Sequence, residues 1–548
     1  MELSKPQKKA KSIIDEAFSR QSKYHSEWLT YELYYRAKFS DRQLRKIKKT
    51  KRSHLFIPVT RNIINIVKSI FTTSFFSAGC PIEVTYVGQS DPAKAMAATA
   101  LVKHHYEKSK PYKELSRAFW SALTMRIGIV LTFWDSSRGR VVTRHISVRD
   151  LAFDYEATGI DDNQYLAYRF YESGNDIHDK IKSKFYTIKT KEFFGNDDPE
   201  DKFSKRYKIE ELIKRNVDKW TVMTFCSTNG TFLREATFER NPFQYGYAID
   251  EYEYVDMELQ KDQILVYGGS MVELTRQIQD EINIKRNQKN DIQEERITPT
   301  YLVGEGITIN PFDLKKGPGS AIKFTGKLDS SNFMQRPVPS EAGLDNDLAT
   351  LTKEDLEDAT GVNGIVRGGT SSSDRRSGRA LSIINANSSP RIEDMILLIT
   401  DTLFYNWAKT FTYLALKHSS SDLIEQLMED NSNPLGRKKE RSLDFDIRVN
   451  FGASINKDVR LGDLKDMLMM FLQNRDPNNE EEREFINGLT NEIVRLKLGE
   501  NTKVPELIKA QVPTTPPENP NESAEPPQEM PLDPNEEREK MLLAQGGV

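Results

Sequence analysis

Between Ser270 and Arg379 the pattern of apolar and polar positions changes character repeatedly. Leu274, Ile278 and Ile282 recur at four-residue spacing, which lays them along one face of a helix. The apolar row then stops. From Asn283 to Arg296 the chain reads NIKRNQKNDIQEER, almost wholly polar yet free of Gly and Pro, so helix continues with little apolar face to bury. A helix that is polar all round is not expected inside a monomer's core. Short β-type runs follow at Thr300 to Val303, Ile307 to Ile309 and Ala321 to Phe324, punctuated by Asn310-Pro311 and Gly317-Pro318-Gly319. Leu344, Leu348, Leu351 and Leu356 then predict a second helix ending at Gly361. After it come a loop, GVNGIVRGGTSSSDRRSGR, and a long apolar helix from Ala380.

Upstream, residues 5–44 read as helical, with Trp28, Tyr31, Tyr34 and Tyr35 clustered, and lead into RKIKKTKR at Arg45 to Arg52. HLFI reads as a short strand passing through Pro58 into an amphipathic helix with Ile63, Ile64, Val67, Ile70 and Phe71 inward. Asp91-Pro92 opens the helix DPAKAMAATALVKHHYEKS, aspartate accepting from first-turn amides and proline fitting the first position. A further helix, Tyr112 to Met125, passes through Gly128 into the apolar strand IGIVLTFWD. From Val141 to Tyr267 the runs VVTRHISV, YLAYRFY, KWTVMTFCS and GTFLREATF predict a mixed α+β domain, closed by Asn241-Pro242-Phe243 and Tyr245-Gly246-Tyr247.

Downstream, Ala380 to His418 would make ~57 Å of helix if unbroken. Pro390 either kinks it or starts a new helix behind Ser388-Ser389. LDFDIRVNF is expected to return as a strand to the β domain. Two amphipathic helices follow, Leu461 to Leu472, with Leu464, Leu468, Phe471 and Leu472 on one face, and Glu480 to Leu498. The proline- and glutamate-rich stretch after Pro513 predicts an extended, disordered tail.

At 548 residues the chain is long enough for two or more domains. A charged fraction of 29% and a mean hydropathy of -0.61 predict a soluble chain, and the net charge of -3 gives no global nucleic-acid footprint. Any DNA contact must therefore come from local charge. The run RKIKKTKR has three readings: a solvated face, a phosphate-contacting patch, or a docking or localisation tag. Arg367, Arg375, Arg376 and Arg379 lie among glycines and serines, which reads either as mobile backbone with phosphate-compatible charge or as an exposed loop with incidental charge.

The two cysteines, Cys80 and Cys226, suit a reducing compartment as buried free thiols. His104-His105 reads as an ordinary helix face, not a metal site. No signal peptide is expected, and Lys68, Asp401 and Lys409 interrupt the most apolar stretches, so no span is either. The protein is expected to be cytosolic when made. Gly364 to Gly369 is followed by Thr370 where a phosphate loop needs Lys. No GxSxG, HExxH or strand-following GxGxxG occurs, and Asp161-Asp162 and Asp197-Asp198 sit in turn-like contexts. No catalytic residue, metal or cofactor is assigned, and an enzyme is not expected.

Taken together, HLFIPVTRNIINIVKSIFTTSFF, DPAKAMAATALVKHHYEKS and IGIVLTFWD resemble the wing opening of portal proteins from short-tailed phages. GGSMVELTRQIQDEINIKRNQKND is similar to their descending stem helix, with Gln279, Glu281 and Asn283 in the usual polar positions. EDATGVNGIVRGG followed by SGRALSIINANSSPRIEDM resembles the tunnel loop and the long helix after it, although the family often has Thr-Ala where this chain has Arg379-Ala380.

The resemblance implies an α+β, portal-type fold with an α/β wing, a long-helix stem, a small β-containing clip and a helical crown. In residues, this is wing 1–268, descending stem 269–297, clip 298–338, ascending stem 339–360, tunnel loop 361–379, long helix and return to wing 380–456, crown 457–511 and tail 512–548. It implies a ring oligomer, a dodecamer in this family, at one capsid vertex of the virion, assembled in the host cytoplasm. Double-stranded DNA would pass through it without sequence specificity, against the tunnel-loop arginines 367, 375, 376 and 379. Asp280, Lys285, Arg286, Lys289, Asp291, Glu294 and Arg296 would line the stem channel or pair between copies. Lys315, Lys316 and Lys323 would serve clip docking, to the terminase large subunit and then to a head-tail adaptor or tail protein. Major capsid and scaffold proteins are the other implied partners, with no membrane. The readings from other classes are a nucleic-acid-processing enzyme of a mobile element and a monomeric scaffold protein.

Overall fold

The computed structural model describes residues 3–250 except 51, 78, 86–91, 158, 196–203 and 218, then 266–297, short stretches within 301–362, 390–428, and parts of 433–493. The chain divides into two compact units, Met1–Met467 and Leu468–Val548. It is a mixed helix-and-sheet protein, as the patterning predicts.

The first unit opens with α1 (Lys5–Gln21), α2 (His25–Tyr35) and α3 (Asp41–Thr50), so the single helical stretch expected over 5–44 is broken after Tyr35. Next come α4 (Val59–Phe76), β1 (Ile82–Thr85), α5 (Pro92–Ser109) and α6 (Tyr112–Thr124). Ile63, Ile64, Val67 and Phe71 of α4 are fully buried, as their spacing predicts. After α6, β2 (Gly128–Asp135) lies between β3 (Arg140–His145) and β9 (Phe243–Gly246) in an antiparallel three-stranded sheet. The Asn-Pro-Phe and Tyr-Gly-Tyr stretches expected to close the β domain thus include a strand, because their alternating Phe243 and Tyr245 have a core to face.

A second sheet runs in sequence order, β4 (Leu151–Phe153), β5 (Tyr165–Ser173), β6 (Arg206–Asn216), β7 (Lys219–Cys226) and β8 (Thr231–Phe238), all antiparallel. The apolar residues of α1, Ala10, Ile14, Ala17 and Phe18, share a core with Ala152, Ala167, Leu212 and Phe225 of that sheet. On β6, the buried carboxylate of Glu210 meets Lys11, Arg169 and Lys208, with Nζ of Lys208 at 2.8 Å and Nε of Arg169 at 3.1 Å. Burial alone would raise its pKa, but the bonds from Lys11, Lys208 and Ser227 hold it down at about 2. The second sheet is thus joined to α1 by charge as well as by apolar packing.

The long helix expected from Ala380 begins, among the described residues, at Pro390: α10 (Pro390–Ile399) continues through a π-helical turn, Thr400–Phe404, into α11 (Tyr405–His418). Pro390 occupies the first position of α10, where its missing N–H costs nothing. The widened turn brings Phe404 into a ring cluster with Phe75, 4.4 Å away, and Trp407, 5.0 Å away. Helix α12 (Ser421–Leu427) and β14 (Asp446–Val449) follow. The returning strand does not join the five-stranded sheet as expected. It pairs with β1, Ile82 opposite Val449, in a two-stranded ribbon. In the second unit and just before it, described residues 464–465, 467–470, 488–490 and 493 are helical, inside the helices that the pattern predicts. Leu464 and Leu468 are half-buried there, and Phe471 and Leu472 lie outside the described residues. The proline-rich tail also lies outside them.

Candidate functional site

The polar helix is α9 (Met271–Ile297), 27 residues long and so about 40 Å. Its first turn is core: Met271 and Val272 are fully buried. Beyond that, its inward face is not the Leu274, Ile278, Ile282 row. Leu274 is exposed and Ile278 half-buried, while Thr275, Gln279 and Asn283 join Ile282 in the interior. Each of these polar residues has a partner there.

Those partners are the main chain of residues 53–60, which holds HLFI, expected to be a strand, and the first two residues of α4. HLFI pairs with no strand among the described residues; the amides of 53–60 bond to side chains of α9 at alternate positions. Ser53 N–H donates to Oδ1 of Asp291 at 2.7 Å, Leu55 N–H to Oδ1 of Asn287 at 2.7 Å and Ile57 N–H to Oδ1 of Asn283 at 2.9 Å. Oε1 of Gln279 then accepts from Val59 and Thr60, both at 3.1 Å. Asn287 also donates from Nδ2 to the Leu55 carbonyl at 2.8 Å, so one side-chain amide bonds both backbone groups of a residue as a neighbouring strand would. Four helical residues rise ~6 Å and two extended residues ~6.6 Å, so every fourth helix side chain meets every second amide. Pro58, which has no N–H, falls on the alternate register where none is needed.

Further contacts tie α9 to α2. The Tyr34 hydroxyl donates to Asp280 at 2.6 Å, and Tyr31 and Arg126 both bond Glu273. Burial first, and the carboxylate bond second, push the Tyr34 phenol well above its ordinary pKa, so it stays a donor. Of the stem residues expected from the sequence, Asp280 bonds Tyr34, Asp291 bonds Ser53, and Lys285 pairs with Glu281 at 2.5 Å. Arg286, Glu294 and Arg296 are exposed and Lys289 half-buried, giving the outer face alternating charge.

Past α9 the chain makes two small antiparallel ribbons, β10 (Tyr301–Val303) with β13 (Phe333–Gln335), and β11 (Thr308–Ile309) with β12 (Phe324–Thr325). The inner pair is nested within the outer, as in a long hairpin. Lys315, Lys316 and Lys323 of the clip, and the loop residues Arg367, Arg375, Arg376 and Arg379, lie outside the described residues. A helical piece at 354–360 brings the chain back: Leu356 and Val362 are buried in the same core as Met271 and Val272. Gly361 ends that piece at φ 70°, its amide bonded to the Glu357 carbonyl at 2.8 Å.

The basic run lies largely on α3. Arg42, Arg45, Lys46, Lys48 and Lys49 are exposed there, with Arg52 beyond it, while Leu44 and Ile47 are half-buried. A separate cleft of about 290 Å³, lined by Arg215, Trp220, Arg240, Gln244 and Lys409 among others, is too small to seat a duplex. His105 is buried against Oγ of Ser419 at 2.7 Å, and burial lowers its pKa to about 4. Cys226 is buried and Cys80 half-buried, both free. Among the described residues no group of three or more His, Cys, Asp or Glu side chains could hold a metal, and no helix is long and apolar enough to cross a membrane. No protein-family model matches the chain, and no curated protein matches it significantly.

Proposed function

We propose that this chain is the subunit of a phage portal, a ring at one capsid vertex through which double-stranded DNA passes during packaging and ejection. The observation that carries this reading is the excursion made by residues 271–362. A 27-residue helix leaves the α/β body from a buried first turn, two nested β ribbons follow, and a helical piece rejoins the same core at Leu356 and Val362. That order supports a reading as stem, clip and stem. An outer face of alternating charge suits a helix flanked by copies of itself and by water, where duplex slides without being captured.

In this reading the nested ribbons dock the terminase and later the adaptor, the arginine loop contacts the duplex backbone, and the chain performs no bond chemistry. The ring acts as conduit and gauge within the virion, having been assembled in the host cytoplasm. The reaction test is direct. Purified protein incubated with linear duplex DNA and Mg²⁺ is expected to leave the DNA intact. Cleavage that copurifies with the chain and is abolished by substitution of its carboxylates would replace the conduit with a nuclease.

A further inference from the structure

We infer that α3 is a second, sequence-independent binding surface for the phosphate backbone of duplex nucleic acid, separate from any channel. The inference does not rest on the ring reading. Arg42, Arg45, Lys46 and Lys49 stand at i, i+3, i+4 and i+7, so they share one face of the helix, and all four are exposed. Lys48 and Arg52 extend the positive field. None of these six cations makes an ion pair among the described residues, and Arg45 bonds only the carbonyl of Asp41, at 3.3 Å. Like charges at these spacings oppose helix formation, and among the described residues no acid forms an ion pair with them.

The helix is capped at its start, and the chain just past its end is tied to α9. Ser40 and Gln43 form a reciprocal cap, the Ser40 amide donating to Oε1 of Gln43 at 3.0 Å and the Gln43 amide to Oγ of Ser40 at 3.3 Å. At the other end the Ser53 amide is fastened to Asp291 of α9. A self-repelling stripe is thus carried on a capped helix that leads into the segment bonded to α9.

The chemistry of the face selects the partner. A protein interface is built on an apolar or aromatic anchor, and every exposed residue of α3 is polar or charged. A membrane surface takes an amphipathic helix by its apolar face, but Leu44 and Ile47 are turned partly into the protein. Phosphates need only cations. Gln43, the one side-chain amide on the helix, is occupied by the cap, and contacts from the cations to phosphate hold the backbone without reading sequence. Ten residues of helix extend about 15 Å, enough to face several phosphates of a duplex.

The test uses the full chain and a labelled duplex of random sequence, with anisotropy titrations over a series of KCl concentrations. The parent is expected to bind with an affinity that falls steeply with salt. Replacing Arg42, Arg45, Lys46 and Lys49 with alanine should flatten the log–log slope by roughly three to four and weaken binding tenfold or more at low salt. Lys46→Arg with Lys49→Arg should keep the parent slope. An alanine variant with parent slope and affinity overturns the inference, as does a parent without salt-dependent binding. Ring formation, scored with and without capsid and scaffold proteins, is an independent readout: rings with an unchanged slope remove only this surface, and a flattened slope with no rings under either condition removes only the portal reading.

Discussion

Replacing Gln279 with leucine is expected to lower the stability of the first unit by about 1–3 kcal/mol, the usual cost of a buried donor left unmet. Gln279 is fully buried, and its Oε1 is the acceptor for the Val59 and Thr60 amides. Leucine fills much of the same space but offers no acceptor, so the buried Thr60 amide loses its side-chain partner, while the Val59 amide keeps its bond to the Ile57 carbonyl at 2.9 Å. The denaturant midpoint should fall. Amide hydrogen exchange should accelerate most at Thr60 and less at Ser53 and Leu55, whose partners Asp291 and Asn287 remain. Gln288→Leu on the exposed face of the same helix is the control, expected within ±0.5 kcal/mol of the parent. Equal effects from the two substitutions would mean that the side-chain ladder contributes nothing to the fold.

Gly128→Ala is expected to be as damaging, at about 3 kcal/mol, the upper end of the usual cost of overpacking. Strand β2 begins against α6 so closely that a Cβ on Gly128 would lie 2.4 Å from the Ala118 carbonyl oxygen and 3.3 Å from the Ala122 Cβ. The nearest obstacle is main chain in the middle of a helix and cannot rotate away. Strand and helix must separate, which opens a core holding Phe119, Ile129 and Val130. Expression of folded protein, or the thermal midpoint if it folds, reads the effect. Gly139→Ala, in the open β2–β3 turn where a Cβ meets nothing but φ is 59°, should cost only the smaller strain of that backbone conformation, ~1 kcal/mol. A Gly128→Ala protein as stable as the parent would contradict the packing described for β2 and α6.

What the sequence reveals here follows the physics of each signal. Buried apolar faces were legible: Ile63, Ile64, Val67 and Phe71 on α4, and the strands built on YLAYRFY and KWTVMTFC, stand where periodicity puts them. The breakers were legible too, with Pro390 opening a helix and Gly361 closing one. The polar ladder was not. A rule that counts apolar residues sees Gln279, Asn283 and Asn287 as solvent-facing, whereas their amides serve as backbone surrogates for an extended segment in the same chain. Two clues were present: Asn or Gln repeated at i, i+4 and i+8, and a β-type run, HLFI, with no strand to pair with. The final strand was likewise legible as a strand but not in its pairing, because β1 and β14 are separated by most of the chain and no local pattern joins them.

The ladder also changes what α9 offers a neighbour. Its polar inner face is turned into the chain and bonded to residues 53–60, which leaves the outer face, with Arg276, Glu281, Ile284 and Arg286 exposed, for contacts between copies. Self-association through that face is the claim on which the account turns. Negative-stain electron microscopy of the purified protein, with its mass taken by light scattering, tests it most directly. The account predicts closed rings, with a central opening wide enough for a duplex and a mass many times the 63.0 kDa of one chain. A uniform monomer or compact dimer at every concentration, with capsid and scaffold proteins added as well as without them, would contradict it.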